Sequence, residues 1–416
     1  MSKKTIAILH YSAPPIVGGV ESVMLAHARV FLEHGYAVTI IAGSGDRSAL
    51  PQGCDFIFLP LLDSQNAQVL EVNADLEKGQ VAAEYNQLRD RIKAELSEYL
   101  PHFEHLIVHN VFSKHFNLAL TGALHELLDE GQIGHCVAWC HDFSWASVRS
   151  LPALHDGLPW NLLRQYRPEV QYVVVSEKRR QSMAELFNMP ADQIKVVYNG
   201  LDADALLGVS PENRDLIEHL ALGETELLLL MPVRVTQAKN IEFALRVLKE
   251  LRESGCRAHM LLTGPPDPHD PENFAYFHTL KDLRKELGLQ KYFHFAFDIG
   301  ANAQDGTILD MQTVSVLYRM CDALFMPSRR EGFGMPILEA GFLGKPIFAS
   351  DIPAVEEIAQ SDIYLLDIHS KPADAAKMIL GWAANDPVYH LRKKIRENFT
   401  WEQIFKKQIK SLLENA

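Results

Sequence analysis

The sequence is poor in cysteine, in net positive charge and in long apolar runs. Its 416 residues include five cysteines at scattered positions, which argues against a disulfide framework and favours a reducing, cytoplasmic compartment. The net charge of -13 argues against a nucleic-acid partner, because phosphate backbones bind basic surfaces. No apolar run approaches the ~20 residues of a membrane-spanning helix, so we expect no transmembrane segment and leave peripheral membrane contact open.

The composition is otherwise that of a globular protein, with 47% hydrophobic and 22% charged residues. A single core stops growing near ~250–300 residues, so a chain of this length predicts two domains. Short apolar runs alternate with helical patterns, and the alternation restarts after residue 220, which predicts two doubly wound α/β halves. The predicted strands are residues 5–12, 36–42, 105–109, 136–140, 172–176 and 194–198, then 226–234, 258–263, 293–297, 323–326 and 346–349.

Ligands of open parallel sheets bind beyond the carboxyl ends of the strands, and between two such domains the default site is the cleft. Gly18 and Gly19 follow the first predicted strand and precede a helix. Glycines let a ligand approach the backbone, and the helix N-terminus offers free N–H groups to an anion. A plain tight turn explains the same two residues. No G-x-G-x-x-G motif follows any predicted strand, which argues against a dinucleotide-dependent dehydrogenase.

A second candidate site follows the strand predicted at residues 226–234. Arg234 and Lys239 bracket the strand-to-helix turn there, and Asn240 is the predicted N-cap of the next helix. Two cations at such a turn suit a diphosphate leaving group, because they stabilise the charge that grows as the sugar–phosphate bond breaks. A pair of solvated surface charges is the alternative.

The most informative stretch is residues 323–340, where a strand leads through a glycine-containing loop into a helix. Pro336 occupies the first position of that helix, which prolines favour, and Glu339 is expected in its first turn. Glu331 in the loop and Glu339 on the helix suit hydrogen bonds from hydroxyls, one on a sugar and one on a ribose. The alternatives are a helix-dipole role for Glu339 and a solvated Glu331.

His141 follows the strand predicted at residues 136–140. A histidine there can hydrogen-bond a ligand hydroxyl or phosphate, and a structural histidine is the alternative. Cys136 and Cys140 do not form a metal site with His141, because four residues along a strand span ~13 Å.

Together these stretches resemble a family 4 glycosyltransferase of GT-B fold. The resemblance rests on Gly18-Gly19-Val20-Glu21, on Arg234 with Lys239, and most specifically on the E-x7-E element from Glu331 to Glu339. It covers nearly the whole chain in the expected order. The implied α/β fold has two Rossmann-like, doubly wound parallel-sheet domains that face each other across a cleft.

The implied domains are an acceptor-side domain of residues 1–205 and a donor domain of residues 206–395. A C-terminal helix, residues 396–416, would cross back to the first domain. By resemblance, the catalytic residues are His141, Arg234, Lys239 and Glu331, and the donor-binding residues are Gly18, Gly19, Phe333, Gly334, Met335, Pro336 and Glu339.

The resemblance also implies the reaction. A hexosyl group moves from a nucleotide-diphosphate sugar, of the UDP-glucose or GDP-mannose type, to a hydroxyl of a carbohydrate, polyol or lipid-linked acceptor. The anomeric configuration is retained, and the leaving phosphate itself assists the acceptor hydroxyl, so we expect no enzymatic nucleophile and no metal cofactor. Asp202 and Asp204 spell the D-x-D string that holds a metal in many other glycosyltransferases, but the string lies in the linker here, which favours a structural role.

Two rival functions stay open on the sequence. One is a nucleotide-sugar epimerase of the same fold, and the other is a catalytically silent GT-B module that acts as a binding partner. The chain also departs from the usual family pattern in a long, polar and acidic insert between Gly43 and Pro101. That departure bears on acceptor specificity rather than on the reaction class, and the sequence carries no signal for an oligomeric state.

Overall fold

A computed structural model describes residues 4–16, 18–219, 225–267, 271–298, 309–367 and 369–414. The chain divides into two compact units. Unit 1 comprises Met1–Leu201 and Trp401–Ala416, and unit 2 comprises Asp202–Thr400. Within the described ranges, no helix is both long and apolar enough to cross a membrane.

The strands and helices alternate along each unit. The strands are β1 (Thr5–His10), β2 (Ala37–Ala42), β3 (Asp55–Phe58), β4 (His105–His109), β5 (His135–Cys140), β6 (Val170–Val174), β7 (Lys195–Val196), β8 (Leu227–Met231), β9 (Ala258–Leu262), β10 (Phe293–Phe295), β11 (Ala323–Met326), β12 (Ile347–Ser350) and β13 (Tyr364–Leu366). The helices are α1 (Gly19–Glu33), α2 (Ala67–Leu76), α3 (Ala83–Ser97), α4 (Leu118–Asp129), α5 (Glu177–Phe187), α6 (Ala203–Leu207), α7 (Pro211–His219), α8 (Ile241–Glu253), α9 (Pro271–Glu286), α10 (Met311–Met320), α11 (Met335–Phe342), α12 (Pro353–Ala359), α13 (Pro372–Asn385), α14 (Pro387–Asn398), α15 (Trp401–Ile404) and α16 (Lys410–Glu414).

Unit 1 contains a seven-stranded parallel sheet in the order β3-β2-β1-β4-β5-β6-β7. The order reverses between β1 and β4, which makes the carboxyl ends of these two strands the topological switch point. Helices cover both faces, so the central strands are buried and apolar almost throughout, as Ile6, Ile8 and Leu9 of β1 show.

Unit 2 repeats the plan with a six-stranded parallel sheet in the order β10-β9-β8-β11-β12-β13. Its switch point lies between β8 and β11, which pair in the register Ala323–Leu229 and Leu324–Leu230. All five residues of β8 are buried, and one continuous hydrophobic core contains them.

The C-terminal segment, from Trp401 onward, belongs to unit 1. Trp401 donates its backbone N–H to the Leu201 carbonyl oxygen at 3.2 Å, and Phe405 is buried in the core beneath α1. A Cβ atom on Gly200 would lie 2.6 Å from the Trp401 ring, so only glycine lets the returning helix approach this closely.

Three local predictions are wrong. The helix expected over residues 388–413 is interrupted, because α14 ends at Asn398 and α15 begins at Trp401. The strand expected to reach Arg234 ends at Met231, since Pro232 has no N–H to donate to a sheet. Strands β3 and β13 were not predicted, and both are short edge strands whose residues are mostly exposed or half-buried.

Candidate functional site

The switch point of unit 2 brings two predicted site segments to one edge of the sheet. β8 and β11 are hydrogen-bonded neighbours, so the loops that follow them leave from adjacent carboxyl ends. Arg234 and Lys239 lie in the loop after β8, and Glu331 lies in the loop after β11. Strand order alone therefore places these three residues at the edge where doubly wound sheets bind ligands.

Lys239 and Glu331 form a close ion pair across these two loops. The Lys239 Nζ donates to both carboxylate oxygens of Glu331 at 2.7 Å. The side chains are 20% and 6% exposed, so the carboxylate is held almost out of water with its charge balanced by one cation. The expected sugar-binding acid and the expected phosphate-binding base are thus direct partners.

Arg329, which no pattern in the sequence singles out, ties the same loops together. Its guanidinium donates to Asn240 Oδ1 at 3.0 Å and to Glu242 Oε1 at 2.8 Å, and its backbone N–H bonds the Ala238 carbonyl oxygen at 2.8 Å. Asn240 is the N-cap residue of α8, as predicted, but it has a left-handed φ of 52° and its side chain makes no capping hydrogen bond. Nothing local in the sequence distinguishes Arg329 from Arg330, because its partners lie almost ninety residues away.

Helix α11 begins as expected after the glycine-containing loop. Gly334 precedes it with a left-handed φ of 97°, and Pro336 lies in the first turn, where a missing N–H costs nothing. The side chains of Phe333 and Met335 at this turn are half exposed. The helix begins four residues after Glu331, and the free backbone N–H groups of its first turn are the kind of group that binds an anion.

Glu339 is the fifth residue of α11 and lies just beyond its first turn, because the helix starts at Met335, one residue before the predicted start. Its Oε2 accepts a hydrogen bond from the Tyr318 hydroxyl at 2.5 Å. Burial and then the Glu339 carboxylate raise the pKa of Tyr318, so the phenol remains a proton donor. Tyr318 therefore orients the carboxylate, a role that no local pattern in the sequence indicates.

Arg234 differs from Lys239 in its surroundings. Its side chain is 58% exposed, and its nearest described acidic partner is Asp267, with Nη1 and Oδ2 3.6 Å apart. No described contact joins Arg234 to Lys239 or to Glu331. A long, exposed guanidinium at the strand end retains the freedom to reach an anion.

In unit 1, Gly18 and Gly19 open α1 directly after the β1 loop. Gly18 is the N-cap, and the Glu21 side chain of the first turn folds back over it. Glu21 is buried and accepts a 2.6 Å hydrogen bond from the Ser12 hydroxyl. A Cβ on Gly18 would lie 2.1 Å from Glu21 Oε2, whereas a Cβ on Gly19 would meet nothing within 4 Å. A side chain at position 18 would therefore displace the Glu21 carboxylate, and Gly19 leaves open space above the helix start.

His141 follows β5 and belongs to a group of histidines beside the switch point of unit 1. Its Nε2 lies 3.1 Å from Nδ1 of His109, and the two rings stack with centroids 5.4 Å apart. Asn110, at a left-handed φ of 61°, accepts the His141 backbone N–H through Oδ1 at 2.8 Å. His10 Nδ1 donates to the His109 carbonyl oxygen at 2.9 Å. Its place after a strand identified His141 from the sequence, but neither of the residues that hold it, His109 and Asn110, was predicted.

Burial keeps these imidazoles neutral. It lowers the pKa of His141 to about 4, with a smaller contribution from His10, and it lowers the pKa of His109 well below the usual value. The fully buried His27, whose ring lies 5.3 Å from that of His109, has its pKa lowered to about 3 by burial and then by His141. At neutral pH, His141 therefore offers a hydrogen bond rather than a charge.

Asp202 and Asp204 each have a structural partner. Asp202 Oδ1 accepts the Ala205 N–H at 2.9 Å and caps α6, and Asp204 pairs with Arg214 at 2.8 Å. Across the described residues, no group of three or more histidine, cysteine or acidic side chains has the geometry of a metal site.

Comparison with protein families gives two adjacent matches. Residues 17–205 match the model of Glycosyltransferase Family 4, and residues 212–400 match the model of Glycosyl transferases group 1. The two matches together cover the chain apart from its ends and a short join.

Individual relatives are distant. An uncharacterized glycosyltransferase of Methanocaldococcus jannaschii is 24% identical over 247 residues, which are 58% of this chain and 58% of that protein. Mannosylglucosylglycerate synthase of Petrotoga mobilis is 22% identical over 361 residues, 81% of this chain and 77% of that protein. The O-antigen chain mannosyltransferase RfbU of Salmonella typhimurium is 25% identical over 187 residues, 45% and 43% of the two chains. The match thus spans little more than half of the first of these relatives.

Proposed function

The chain belongs to glycosyltransferase family 4, and on that premise we propose that it moves a hexosyl group from a nucleotide-diphosphate sugar to a hydroxyl acceptor. The proposed reaction retains the anomeric configuration and uses no metal ion. We assign the acceptor side to unit 1 and the donor side to unit 2. All five cysteines are free thiols, which supports a cytoplasmic location.

The Lys239–Glu331 pair at the switch point of unit 2 carries this proposal. An ammonium has three donors and Lys239 uses two of them on Glu331, while a carboxylate has about four acceptor positions. The same pair has the capacity to donate to a donor phosphate and to accept from sugar hydroxyls without separating. A pre-positioned, mostly buried ion pair stabilises the developing diphosphate charge without reorganisation, and such electrostatic stabilisation often contributes more than any other effect to an enzyme's rate enhancement.

The remaining donor contacts follow from the geometry around that pair. We propose that Arg234 adds a second cation for the diphosphate, since its side chain is exposed and long enough to move. The backbone of Phe333, Gly334, Met335 and Pro336 at the start of α11 would support the sugar and phosphate. Glu339, oriented by Tyr318, would accept the ribose hydroxyls.

From unit 1, we propose Gly18, Gly19 and His141 as further contacts of the donor. The open space above Gly19 admits an anion to the N-terminus of α1. His141 would hydrogen-bond a hydroxyl of the donor sugar as a neutral imidazole. The ring is fixed by His109, and its backbone is fixed by Asn110.

We propose mannose as the first donor sugar to test, with glucose second. Two of the relatives described above, the Petrotoga synthase and RfbU, carry names that refer to mannosyl transfer or a mannosyl product, and those names support mannose.

The experiment is a donor screen followed by product analysis. The purified full chain is incubated with GDP-mannose, UDP-glucose and their counterparts with exchanged bases, and melting temperature and release of nucleoside diphosphate are measured. We expect one donor to raise the melting temperature and to be consumed, and NMR of the product to show a retained anomeric configuration. Glu331→Gln should lower turnover by roughly 10²-fold, while the exposed neighbour Arg330→Ala should not.

The same incubations distinguish the rivals. Epimerised sugar from donor alone, with no transfer, would establish the epimerase. Absence of any thermal shift and any turnover across the panel would favour the silent binding module. An inverted product would refute the retaining mechanism while leaving the family assignment intact.

A further inference from the structure

A second concave feature of unit 1 lies outside the residues assigned to the donor. It is a cavity of about 450 Å³ between α2 and the segments that follow β4 and β5. His115 and Phe116 come after β4, and Ala153 and Trp160 come after β5, so the cavity opens at the carboxyl edge of the sheet, as His141 does. Its other wall, α2, belongs to the polar insert between Gly43 and Pro101. Its volume is within the ~300–1,000 Å³ of small-molecule sites.

Polar groups in this cavity are held in fixed orientations. The Ser144 hydroxyl is fully buried, accepts the His115 backbone N–H at 3.0 Å and bonds Nδ1 of the same residue at 2.7 Å. A hydroxyl both donates and accepts, so this contact fits either tautomer of His115; when Ser144 Oγ donates to Nδ1, the proton of the neutral ring is on Nε2. Asn73 donates through Nδ2 to the Phe116 carbonyl oxygen at 2.7 Å, which fixes its amide so that Oδ1 is an acceptor. In that tautomer of His115, one donor and one acceptor belong to the lining of the same cavity.

Two large apolar residues of the lining are accessible. The side chain of Phe116 is 41% exposed and that of Leu70 is 46% exposed, although both are large hydrophobic residues. Trp160 forms part of the wall and is itself buried. Accessible apolar side chains together with a few oriented polar groups are the usual composition of a site for a small polar molecule with an apolar face.

The charge of the lining narrows the class of ligand. Glu77 is the one acidic residue among the described residues that line the cavity, and lysine and arginine do not occur among them. Burial and then Lys114 lower the pKa of His115, so this ring is not a cation at neutral pH. Lys114 lies outside the lining: it is buried, pairs with Asp142 at 3.5 Å and covers one face of the Phe116 ring, with Nζ 4.9 Å from the centroid. A phosphate in this cavity would have no cation among the lining residues to balance it, and transfer of an unpaired anion from water is costly.

We propose that this cavity binds the acceptor, and that the part of the acceptor it takes is an uncharged, hydroxyl-rich carbohydrate or polyol. His115 Nε2–H and Asn73 Oδ1 would bond neighbouring hydroxyls, and Phe116 would cover the apolar face of the ring. The identification of the ligand as an acceptor rests on the proposed function; the binding preference itself rests only on the cavity.

The binding preference is tested without any turnover. The purified full chain is titrated by NMR with methyl α-D-mannopyranoside and, separately, with mannose 6-phosphate. We expect the uncharged glycoside to bind more tightly, by about tenfold or more. Phe116→Ala removes an exposed apolar side chain of the lining, and Ala74→Trp fills the cavity from the exposed face of α2. Each substitution should weaken glycoside binding by about tenfold. Leu158→Ala removes an apolar side chain of unit 1 outside this cavity that is 67% exposed, more than Phe116, and should change nothing.

A charge reversal makes the test of ligand class sharper. Glu77→Lys places a cation in the lining at an exposed position and should shift the preference toward mannose 6-phosphate by about tenfold. Tighter binding of the phosphate by the unaltered chain would overturn the proposed class. Glycoside binding that survives both Phe116→Ala and Ala74→Trp, or no glycoside binding at all, would overturn the cavity as the site.

Kinetics then separate this proposal from the proposed function. With an active donor and acceptor, Phe116→Ala and Ala74→Trp should raise the acceptor KM by about tenfold and leave the donor KM and the transfer of sugar to water unchanged. An unchanged acceptor KM in both variants would refute the acceptor role. A chain that binds the glycoside as predicted but never consumes a donor would refute the proposed function and leave the cavity assignment standing.

Discussion

The Lys239–Glu331 pair leads to a prediction in which stability and turnover respond differently. The Glu331 side chain is 6% exposed and both of its oxygens bond to Lys239, so it depends on one cation. Lys239→Met keeps the apolar stem and removes the charge. Removal of one partner of a buried pair costs about 3–5 kcal/mol, because the other charge is left without compensation. Lys239 is 20% exposed, which places the expected loss near the lower end, at about 3 kcal/mol.

Calorimetry measures this loss in the transition of unit 2. For a domain of about 200 residues, 1 kcal/mol corresponds to about 2–4 °C, so we expect the melting temperature to fall by about 6–12 °C. Arg330→Met, which removes an exposed cation from the same loop, is the matched control and should change the melting temperature little.

The double variant Lys239→Met/Glu331→Gln completes the experiment. Because neither charge of the pair remains, the double variant should regain most of the lost stability: replacing both partners of a buried ion pair often leaves stability unchanged. Turnover should be lower than that of the unaltered chain by roughly 10²-fold in both the single and the double variant, since the donor diphosphate no longer has the Lys239 ammonium. A double variant that melts as low as Lys239→Met would refute the ion-pair argument. A double variant that regains turnover would refute the role of Lys239 in catalysis.

Three further predictions concern the other site residues. His27→Phe should gain stability relative to the unaltered chain as the pH falls from 7.5 to 5.5. The folded-state pKa of His27 is about 3, so the unfolded chain takes up the proton first, and the unaltered chain loses below pH 6.5 stability that it has above it. Denaturant unfolding at the two pH values should show a relative gain of about 1.3 kcal/mol for the variant. His102→Phe, at an exposed position, is its control, and equal pH slopes for all three proteins would contradict the argument. Gly18→Ala should destabilise the chain by about 1 kcal/mol, because its Cβ would displace the Glu21 carboxylate from the Ser12 hydroxyl, whereas Gly19→Ala should leave stability unchanged and raise the donor KM. A larger loss for Gly19→Ala than for Gly18→Ala in thermal melts would count against the assignment. A chelator should leave the transfer rate unchanged. If activity were lost in EDTA and restored by a divalent ion, that result would support Asp202 and Asp204 as metal ligands.

Much of the fold could be read from local pattern. Continuous apolar runs predicted the buried central strands, among them β4 and β11 with their observed bounds, because strands covered on both faces need no polar alternation. The edge strands β3 and β13 escaped prediction, since their residues are only partly buried and their pairing comes from the neighbouring strand. The start of α11 could be predicted to within one residue from Gly334 and Pro336, because turns and helix starts depend on residues that are close in sequence.

The sequence by itself determined which residue types follow each strand, and so identified Arg234, Lys239, His141, Glu331 and Glu339 as candidates. Only the tertiary structure decided their partners. Lys239 meets Glu331 across 92 positions of sequence because β8 and β11 are neighbours in the sheet, and His141 meets His109 because β5 lies beside β4. Local spacing encodes the period and the turn, whereas the distance between two side chains on different loops is set by strand order and register.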